Sequence, residues 1–426
     1  MTERIAIIGG IRTPFAKAGG VLAGYRADDL GAFVAREVVA RTNFPVAKID
    51  ELIAGNVAQP GDAANVARVI ALKAGLPTNL IASTVHRNCA SGMEALTTAA
   101  AKIRAGEADA IVCVGAESMS NIPLLCNKDM TALFMRLAKA KSVWAKLGTW
   151  LSLRPRHLVP IIGVQVGLTD PVCGLNMGQT AEVLSREFAI SRQDQDEYAL
   201  NSHLKAIAAR ERLAAEIMPL PLPKFDKVMK QDDGPRDGQD MAALAKLKPY
   251  FDRVAGTVTV GNACGLTDGA AATIACRESL AKELGMPILG YLTGHAYAAL
   301  DGRRMGLGPV YATSKLLQRT GQSLQDFDLI EINEAFAAQV IGCLRAFKSD
   351  AFAKEHLGRA SAVGEIDEKK LNVNGGAIAT GHPVGATGMR LVVTTLMELK
   401  RRGERRGLAT LCIGGGQGAA LSLEVA

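Results

Sequence analysis

The chain carries one short unit twice, and this constrains its fold more than any other feature. Ala90-Ser91-Gly92-Met93 opens a helical stretch that runs to Gly106, and the apolar run Ala110-Ile111-Val112-Cys113-Val114-Gly115 follows. Ala386-Thr387-Gly388-Met389 opens a second such stretch through Arg402, followed by Leu408 to Ile413. Each apolar run has the length of a strand and stops at a glycine. Duplication of one βα-type unit predicts two similar halves. Packed back to back, they would turn Cys89 at one helix entrance and Gly381-His382 at the other towards one cleft.

The remainder fits this frame. Strands are expected at Thr257-Val258-Thr259-Val260 and Leu329-Ile330-Glu331-Ile332, and helices at 29–40 and 182–187, the alternation of α/β layers. At 426 residues the chain exceeds one ordinary core, so two or three packed units are expected. Aromatic residues are only 4 %, which leaves Ala, Val, Leu and Ile to fill the interior. The boundaries read as 1–121 for the first half, completed by 251–284, then 122–250 for an inserted loop domain and 285–426 for the second half.

The insert is polar and punctuated by prolines. Within it Met130, Leu133, Phe134, Leu137, Trp144, Leu147 and Leu151 form one helical stripe, decorated by Arg136, Lys139, Lys141 and Lys146. The stripe is expected to pack on the protein's own body. Its basic amphipathic character over 128–152 leaves a membrane surface or a docked partner as the alternatives.

Thr2-Glu3-Arg4 leads straight into the apolar run Ile5-Ala6-Ile7-Ile8, with no cleavable export signal, and Leu158 to Leu168 is too short to cross a bilayer. A cytoplasmic protein is expected. None of the eight cysteines forms a Cys-x-x-Cys, so no metal and no cofactor is predicted. Cys113, Cys126, Cys173, Cys276 and Cys343 read as small buried residues. A net charge of +7 is mild and gives no nucleic-acid arm; it suits either a nucleotide phosphate or a solvated surface.

Four segments carry chemistry. Cys89 precedes a helix, whose N-terminus favours a thiolate, and Ser91 and Gly92 are small enough to leave its approach open. His382 lies in the glycine-rich run 374–385, where an imidazole is suited to activate a thiol. The other histidines, His86, His157, His203, His295 and His356, have no comparable setting. Cys412 ends an apolar strand ahead of Gly414, Gly415 and Gly416, whose amides can meet an oxyanion. Asn333 leaves a strand at Ile332 and can orient water, with a core amide or an N-cap as the plain alternative, since Glu334 onwards looks helical.

These residues resemble the thiolase family from Ile5 to Leu423. Asn88-Cys89-Ala90-Ser91-Gly92 is similar to its nucleophile signature and Asn333-Glu334-Ala335-Phe336-Ala337 to the signature of its water-holding asparagine. Gly375 to Gly388 and Cys412 to Gly418 resemble its C-terminal signatures, and Arg12-Thr13-Pro14-Phe15 its opening segment. The resemblance implies a thiolase fold: two duplicated Rossmann-like βαβαβαββ halves in α/β/α/β/α layers, with a loop domain over a coenzyme A channel. It implies ping-pong acyl transfer and Claisen condensation between acyl-CoA and acetyl-CoA, with thiolysis as the reverse. Cys89 would be the acylated nucleophile, His382 its base and Cys412 the carbon acid/base. One oxyanion hole would be His382 with a water on Asn333, the other the amides of Cys89 and Gly414.

Met177, Arg236, Cys264 and Phe336 fall where the family meets coenzyme A, although Arg236 sits among Asp232, Asp233 and Asp237 and could equally balance their charge. Asn176 stands where short-chain relatives often carry His, and Cys264 where Ser is common, so chain length is not inferred. The family also implies a homodimer or homotetramer. The insert at 122–176 is similar to that of thiolase subunits of fatty-acid oxidation complexes and points to a hydratase/dehydrogenase partner; Asn333, where those subunits usually have His, points to a stand-alone enzyme. The competing readings are a ketoacyl-synthase-like condensing enzyme and a non-catalytic acyl-CoA carrier.

Overall fold

The computed structural model describes residues 3–224 and 226–426. Among them, ten strands form one mixed sheet. Nine are β1 (Ile5–Arg12), β2 (Glu51–Gly55), β3 (Ile81–Val85), β4 (Ala110–Ser118), β5 (Thr267–Arg277), β6 (Ile288–Ala299), β7 (Leu329–Ile332), β8 (Arg406–Ile413) and β9 (Gln417–Val425); the tenth, Ala16–Lys17, pairs with β5. Their order is β7-β8-β9-β6-β1-β5-β4-β2-β3. The first half of the chain supplies β3-β2-β4-β5-β1, with β2 parallel to β3 and β4. The second supplies β7-β8-β9-β6, with β7 parallel to β8. The counterpart of β3 shrinks there to a parallel bridge between Ile330 and Leu371. β1 and β6 pair antiparallel, Ile5 opposite Leu292, and join the halves.

Among the described residues, ten α-helices of eight residues or more pack around this sheet and in the insert: α1 (Ala27–Thr42), α2 (Val66–Lys73), α3 (Ser91–Ala105), α4 (Lys128–Lys139), α5 (Val143–Leu151), α6 (Met177–Glu187), α7 (Arg192–Ala208), α8 (Gly308–Thr320), α9 (Ala337–Phe347) and α10 (Val384–Arg402). Successive strand residues point to opposite faces, so a strand covered on both sides is apolar throughout. In β4, Val112 and Val114 pack with α1 and α2, while Ile111 and Cys113 pack with α3 and α10. In β8, Leu408 joins the core under α8 and α9, and Ala409 and Leu411 join that of α3 and α10. α3 and α10 thus form the middle of five layers.

The repeated tetrapeptide has a steric explanation. A Cβ on Gly92 would lie 2.6 Å from the Met389 amide nitrogen, and one on Gly388 would lie 2.7 Å from that of Met93. Each glycine lets the partner helix's backbone approach, and the two contacts are reciprocal. Gly92 therefore serves the helix crossing, while Ser91 is buried and bonded within its own turn, Arg87 N–H donating to its Oγ at 2.9 Å and that Oγ donating to the Asn88 carbonyl at 2.7 Å. Neither acts as the open approach expected from their size.

Several expectations need correction. Thr257–Val260 is not a strand: the Glu182 carboxylate accepts from the amides of Thr257 and Val258, and the Asn262 side chain from that of Thr259, so no ladder partner is required. The stripe in the insert breaks at 140–142 into α4 and α5. Of its residues only Leu133 is buried, while Trp144 is 81 % exposed and Leu151 72 %, so it does not pack on the protein's own body. Cys113, Cys276 and Cys343 are buried as expected, but Cys126 is exposed and Cys173 half-buried.

Candidate active site

The nucleophile candidate is set by the loop ahead of α3. Asn88 takes a left-handed φ of 44°, and its side-chain amide donates to the Gly414 carbonyl at 2.8 Å, tying the Cys89 loop to the glycine turn after β8. Cys89 is half-buried at this junction. Burial pushes its thiol up, and the backbone amides of Gly414 and Cys89 itself pull the other way. The same two amides are those expected to form an oxyanion hole.

Cys412 lies near the end of β8 with 1 % exposure. Burial raises its thiol well above the ordinary value, and Cys89, Cys343 and Cys264 add to the rise. Cys264 is held up to about 12, by burial first and then by Cys89. Four thiols, Cys89, Cys264, Cys343 and Cys412, thus share one electrostatic neighbourhood. A thiol kept protonated at rest suits proton exchange at carbon.

His382 enters from the second half. Gly381, at a φ of 92°, turns the chain where a Cβ would strike Thr267 Cγ2 at 2.1 Å. The His382 amide then donates to the Gly265 carbonyl at 2.9 Å, beside Cys264. The ring is buried, and burial, followed by the Arg390 charge, brings its pKa down to about 3. Its Nδ1 lies 2.6 Å from Thr387 Oγ1, and that hydroxyl donates to the Pro383 carbonyl at 3.1 Å. With its proton so committed, Thr387 accepts from Nδ1–H. The lone pair is left on Nε2, which has no partner within the protein. The tautomer is therefore the one that can take a proton from a thiol.

Asn333 follows β7, its amide donating to the Thr410 carbonyl at 3.0 Å. Its side chain is fully buried, yet both Oδ1 and Nδ2 lack a protein partner. The helix after it begins only at Ala337, so Asn333 is neither an N-cap nor a satisfied core amide. A buried amide left open at both ends is fit to hold water or a ligand oxygen.

Of the coenzyme A candidates, Met177, Cys264 and Phe336 converge here. Met177 opens α6, its sulfur 3.2 Å from where a Cβ on Gly414 would stand. Phe336 pairs with Ala263 and packs edge-on to Phe251 at 5.9 Å. Asn176 is the N-cap of α6, accepting from Gln179 N–H at 2.9 Å. Arg236 is exposed. Its neighbouring acids are engaged elsewhere: Asp232 by Arg12, Asp237 by Arg210 and Asp233 by the Lys17 amide. Among the described residues Arg236 itself forms no salt bridge with any of the three.

Three supporting residues escaped the reading of the sequence. Thr387 could have been found, because it matches Ser91 in the repeated unit and both hydroxyls brace a helix entrance. Glu117, its pKa pushed up to about 7 by burial, accepts from the amides of Val57, Ala58 and Gly385 and from Asn56. Glu334 accepts from Tyr198, Ser202, Asn372 and the Ile378 amide. Both carboxylates pin the loops that carry the site, through partners distant in sequence.

Comparison with known proteins identifies the family. The thiolase N-terminal domain family matches residues 5–279 and the thiolase C-terminal domain family residues 286–425. The chain belongs to the thiolase family. It is 43 % identical over 426 residues to a 3-ketoacyl-CoA thiolase of Yersinia pestis (strain Pestoides F), covering 99 % of this chain and 97 % of that protein. It superposes on the Bacillus anthracis acetyl-CoA acetyltransferase with a TM-score of 0.86 at 36 % identity, covering 100 % of this chain and 99 % of that one. Human mitochondrial 3-ketoacyl-CoA thiolase in complex with CoA gives a TM-score of 0.86 at 32 % identity, covering 100 % and 98 %.

The Thr387 contact has a kinetic consequence. Thr387→Val is expected to lower kcat about 10- to 100-fold with KM little changed, because the imidazole loses the partner that fixes its tautomer. Thr387→Ser should restore most of the rate, a recovery that tests the hydroxyl against mere packing. Since the depressed pKa keeps the base form present until the pH falls to about 3, wild-type kcat/KM should lack an inflection near the ordinary imidazole value of about 6.5.

Proposed function

We propose that this thiolase is a 3-ketoacyl-CoA thiolase working through an acyl-enzyme on Cys89. The residue assignment is supported by Cys89 and the buried Cys412 sharing one electrostatic neighbourhood, by a neutral His382 with a free Nε2, and by an Asn333 amide open at both ends. His382 Nε2 takes the Cys89 proton and the thiolate attacks the acyl-CoA carbonyl. The tetrahedral oxyanion is held by the amides of Cys89 and Gly414, and collapse expels the CoA thiolate, which recovers the proton from His382. Cys412 passes its thiol proton to the freed Nε2 of His382 and, as the thiolate, removes a proton from the methyl of acetyl-CoA, whose thioester oxygen is held by the His382 Nε2–H and a water on Asn333. The carbanion attacks the acyl-enzyme, the new carbon–carbon bond forms as the Cys89 C–S bond breaks, the Cys89 thiolate recovers the proton from His382, and 3-ketoacyl-CoA leaves. Thiolysis runs the same steps backwards.

Met177, Cys264 and Phe336 line the pantetheine arm in this reading, and Arg236 meets the nucleotide phosphates. The name carried by the Yersinia pestis relative favours 3-ketoacyl-CoA over acetoacetyl-CoA as the main substrate. Neither a carrier nor a ketoacyl-synthase-like enzyme is favoured, because the relatives are thiolases and the catalytic positions hold competent side chains.

The reading extends to a cytoplasmic homo-oligomer, supported by eight unpaired cysteines and by the open edge of β3, where Ile81 is 63 % exposed. Gel filtration tests that state, and co-elution tests a hydratase/dehydrogenase partner; a monomer, or no co-elution at micromolar concentration, would reject each. The decisive experiment is CoA-dependent cleavage of 3-ketoacyl-CoA thioesters of increasing chain length. Cleavage is expected, rising beyond the four-carbon substrate. A protein that turns over acetoacetyl-CoA alone would be an acetyl-CoA acetyltransferase instead, and no cleavage at any length would overturn the proposal.

A further inference from the structure

The α4–α5 hairpin holds nearly all of the chain's surplus charge. Between 128 and 156 lie seven basic residues and one acid, a net of +6, whereas the whole chain carries +7. The charge that seemed mild and dispersed is therefore local. Lys128, Arg136, Lys139, Lys141, Lys146 and Arg154 are exposed, and among the described residues none makes a salt bridge; the seventh, Arg156, pairs with Asp129 at 3.2 Å.

The same hairpin carries a cluster of exposed apolar side chains. α5 has no buried residue, and its Val143, Trp144, Leu147 and Leu151 lie along one face at helical spacing, with Val143 78 % exposed. Phe134 of α4 holds Trp150 of α5 edge-on at 6.4 Å, which braces the hairpin. Both tryptophans of the chain sit here. An exposed apolar face of this size normally marks a contact surface.

The chemistry selects the occupant. Cores of protein–protein interfaces are depleted in lysine, and a protein partner would have to bring acids to match. A bilayer surface favours tryptophan at headgroup depth with lysine and arginine beside it, and anionic lipid supplies the counter-charge. Among the described residues no helix is long and apolar enough to cross a membrane, so the hairpin would lie along the interface.

We propose that the α4–α5 hairpin docks this protein on the surface of a bilayer containing anionic phospholipid. Its apolar face rests at the headgroup–acyl boundary and its basic side chains rest on the phosphates.

The two tryptophans make the hairpin its own reporter. The intact protein is mixed with vesicles of phosphatidylcholine alone, or of an equal mixture with phosphatidylglycerol. Co-sedimentation and a blue shift of tryptophan emission are expected with the anionic vesicles at low salt, and both fade at high salt. Lys139→Glu/Lys141→Glu/Lys146→Glu should weaken that binding at least ~100-fold, since each basic side chain near an anionic surface contributes severalfold. Trp144→Ser/Leu151→Ser should bind weakly with no shift. Circular dichroism and thiolysis of a short soluble substrate should stay at wild-type levels in both variants. Failure of the wild type to sediment with anionic vesicles overturns the proposal, and so does equal binding to both vesicle types. A molecular mass that drops in the Trp144→Ser/Leu151→Ser variant, or loss of co-elution with another subunit, without vesicle binding by the wild type, would assign the face to a protein partner and reject the lipid surface.

Discussion

Cys89→Ala is expected to remove both half-reactions, with thiolysis falling by at least about 10⁴-fold. Cys412→Ser should remove only one. In that variant acetyl-CoA should still acylate Cys89, because the nucleophile, His382 and the Gly414 amide are untouched. Carbon–carbon bond formation and cleavage should fall at least about 10³-fold, since a serine hydroxyl is a far weaker carbon acid/base than a thiol. The measurement is intact mass after acetyl-CoA alone, set beside steady-state thiolysis. An acetyl adduct on the Cys412→Ser protein with lost turnover fits the assignment. An adduct on Cys89→Ala, or its absence from Cys412→Ser, would exchange or discard the two roles. The separation rests on placement: Cys412 is buried at the end of β8, whereas Cys89 is half-buried at a loop junction where substrate can arrive.

Gly92→Ala and Gly388→Ala are each expected to be strongly damaging single methyl additions near the site. Each new Cβ would lie within 2.7 Å of a main-chain nitrogen on the facing helix, so no rotamer change relieves it. Overpacking against backbone should destabilise by about 3 kcal/mol or more. In a chain of this size that is a fall in Tm or a loss of soluble protein, readable by thermal melting. Because either helix shift moves both Cys89 and His382, the soluble fraction should also lose activity out of proportion to its stability. An alanine variant with wild-type Tm would show that α3 and α10 do not cross as closely as described.

Most of the fold could be read from the chain because its halves repeat. The helices at 91–105 and 384–402 and the strands after them stand where the motif put them. Strand 257–260 failed because β-branched residues alone do not make a strand; Glu182 and Asn262 satisfy its amides from outside any ladder. The stripe of α4 and α5 was periodic, as expected, but periodicity says which side is apolar and not what covers it. In the site, His382 and Cys412 stood out by residue type beside glycine-rich runs, Cys89 by its place ahead of a helix and Asn333 by its place after a strand. Glu117 and Glu334 did not, since a buried carboxylate is recognised only by its partners, and those come from segments such as 56–58, 198–202 and 372–378.

The crossing of α3 and α10 has a consequence for precision. The loops bearing nucleophile and base spring from the two helices at the point where main chain touches main chain. Side chains in a core exchange rotamers and leave small errors in whatever they position; a backbone contact has no rotamers to exchange. The alignment of Cys89 with His382 is thereby uncoupled from drift in the aliphatic packing around it. A protein with so few aromatic anchors can be soft in its outer layers and still hold a fixed gauge between the two groups proposed to trade a proton.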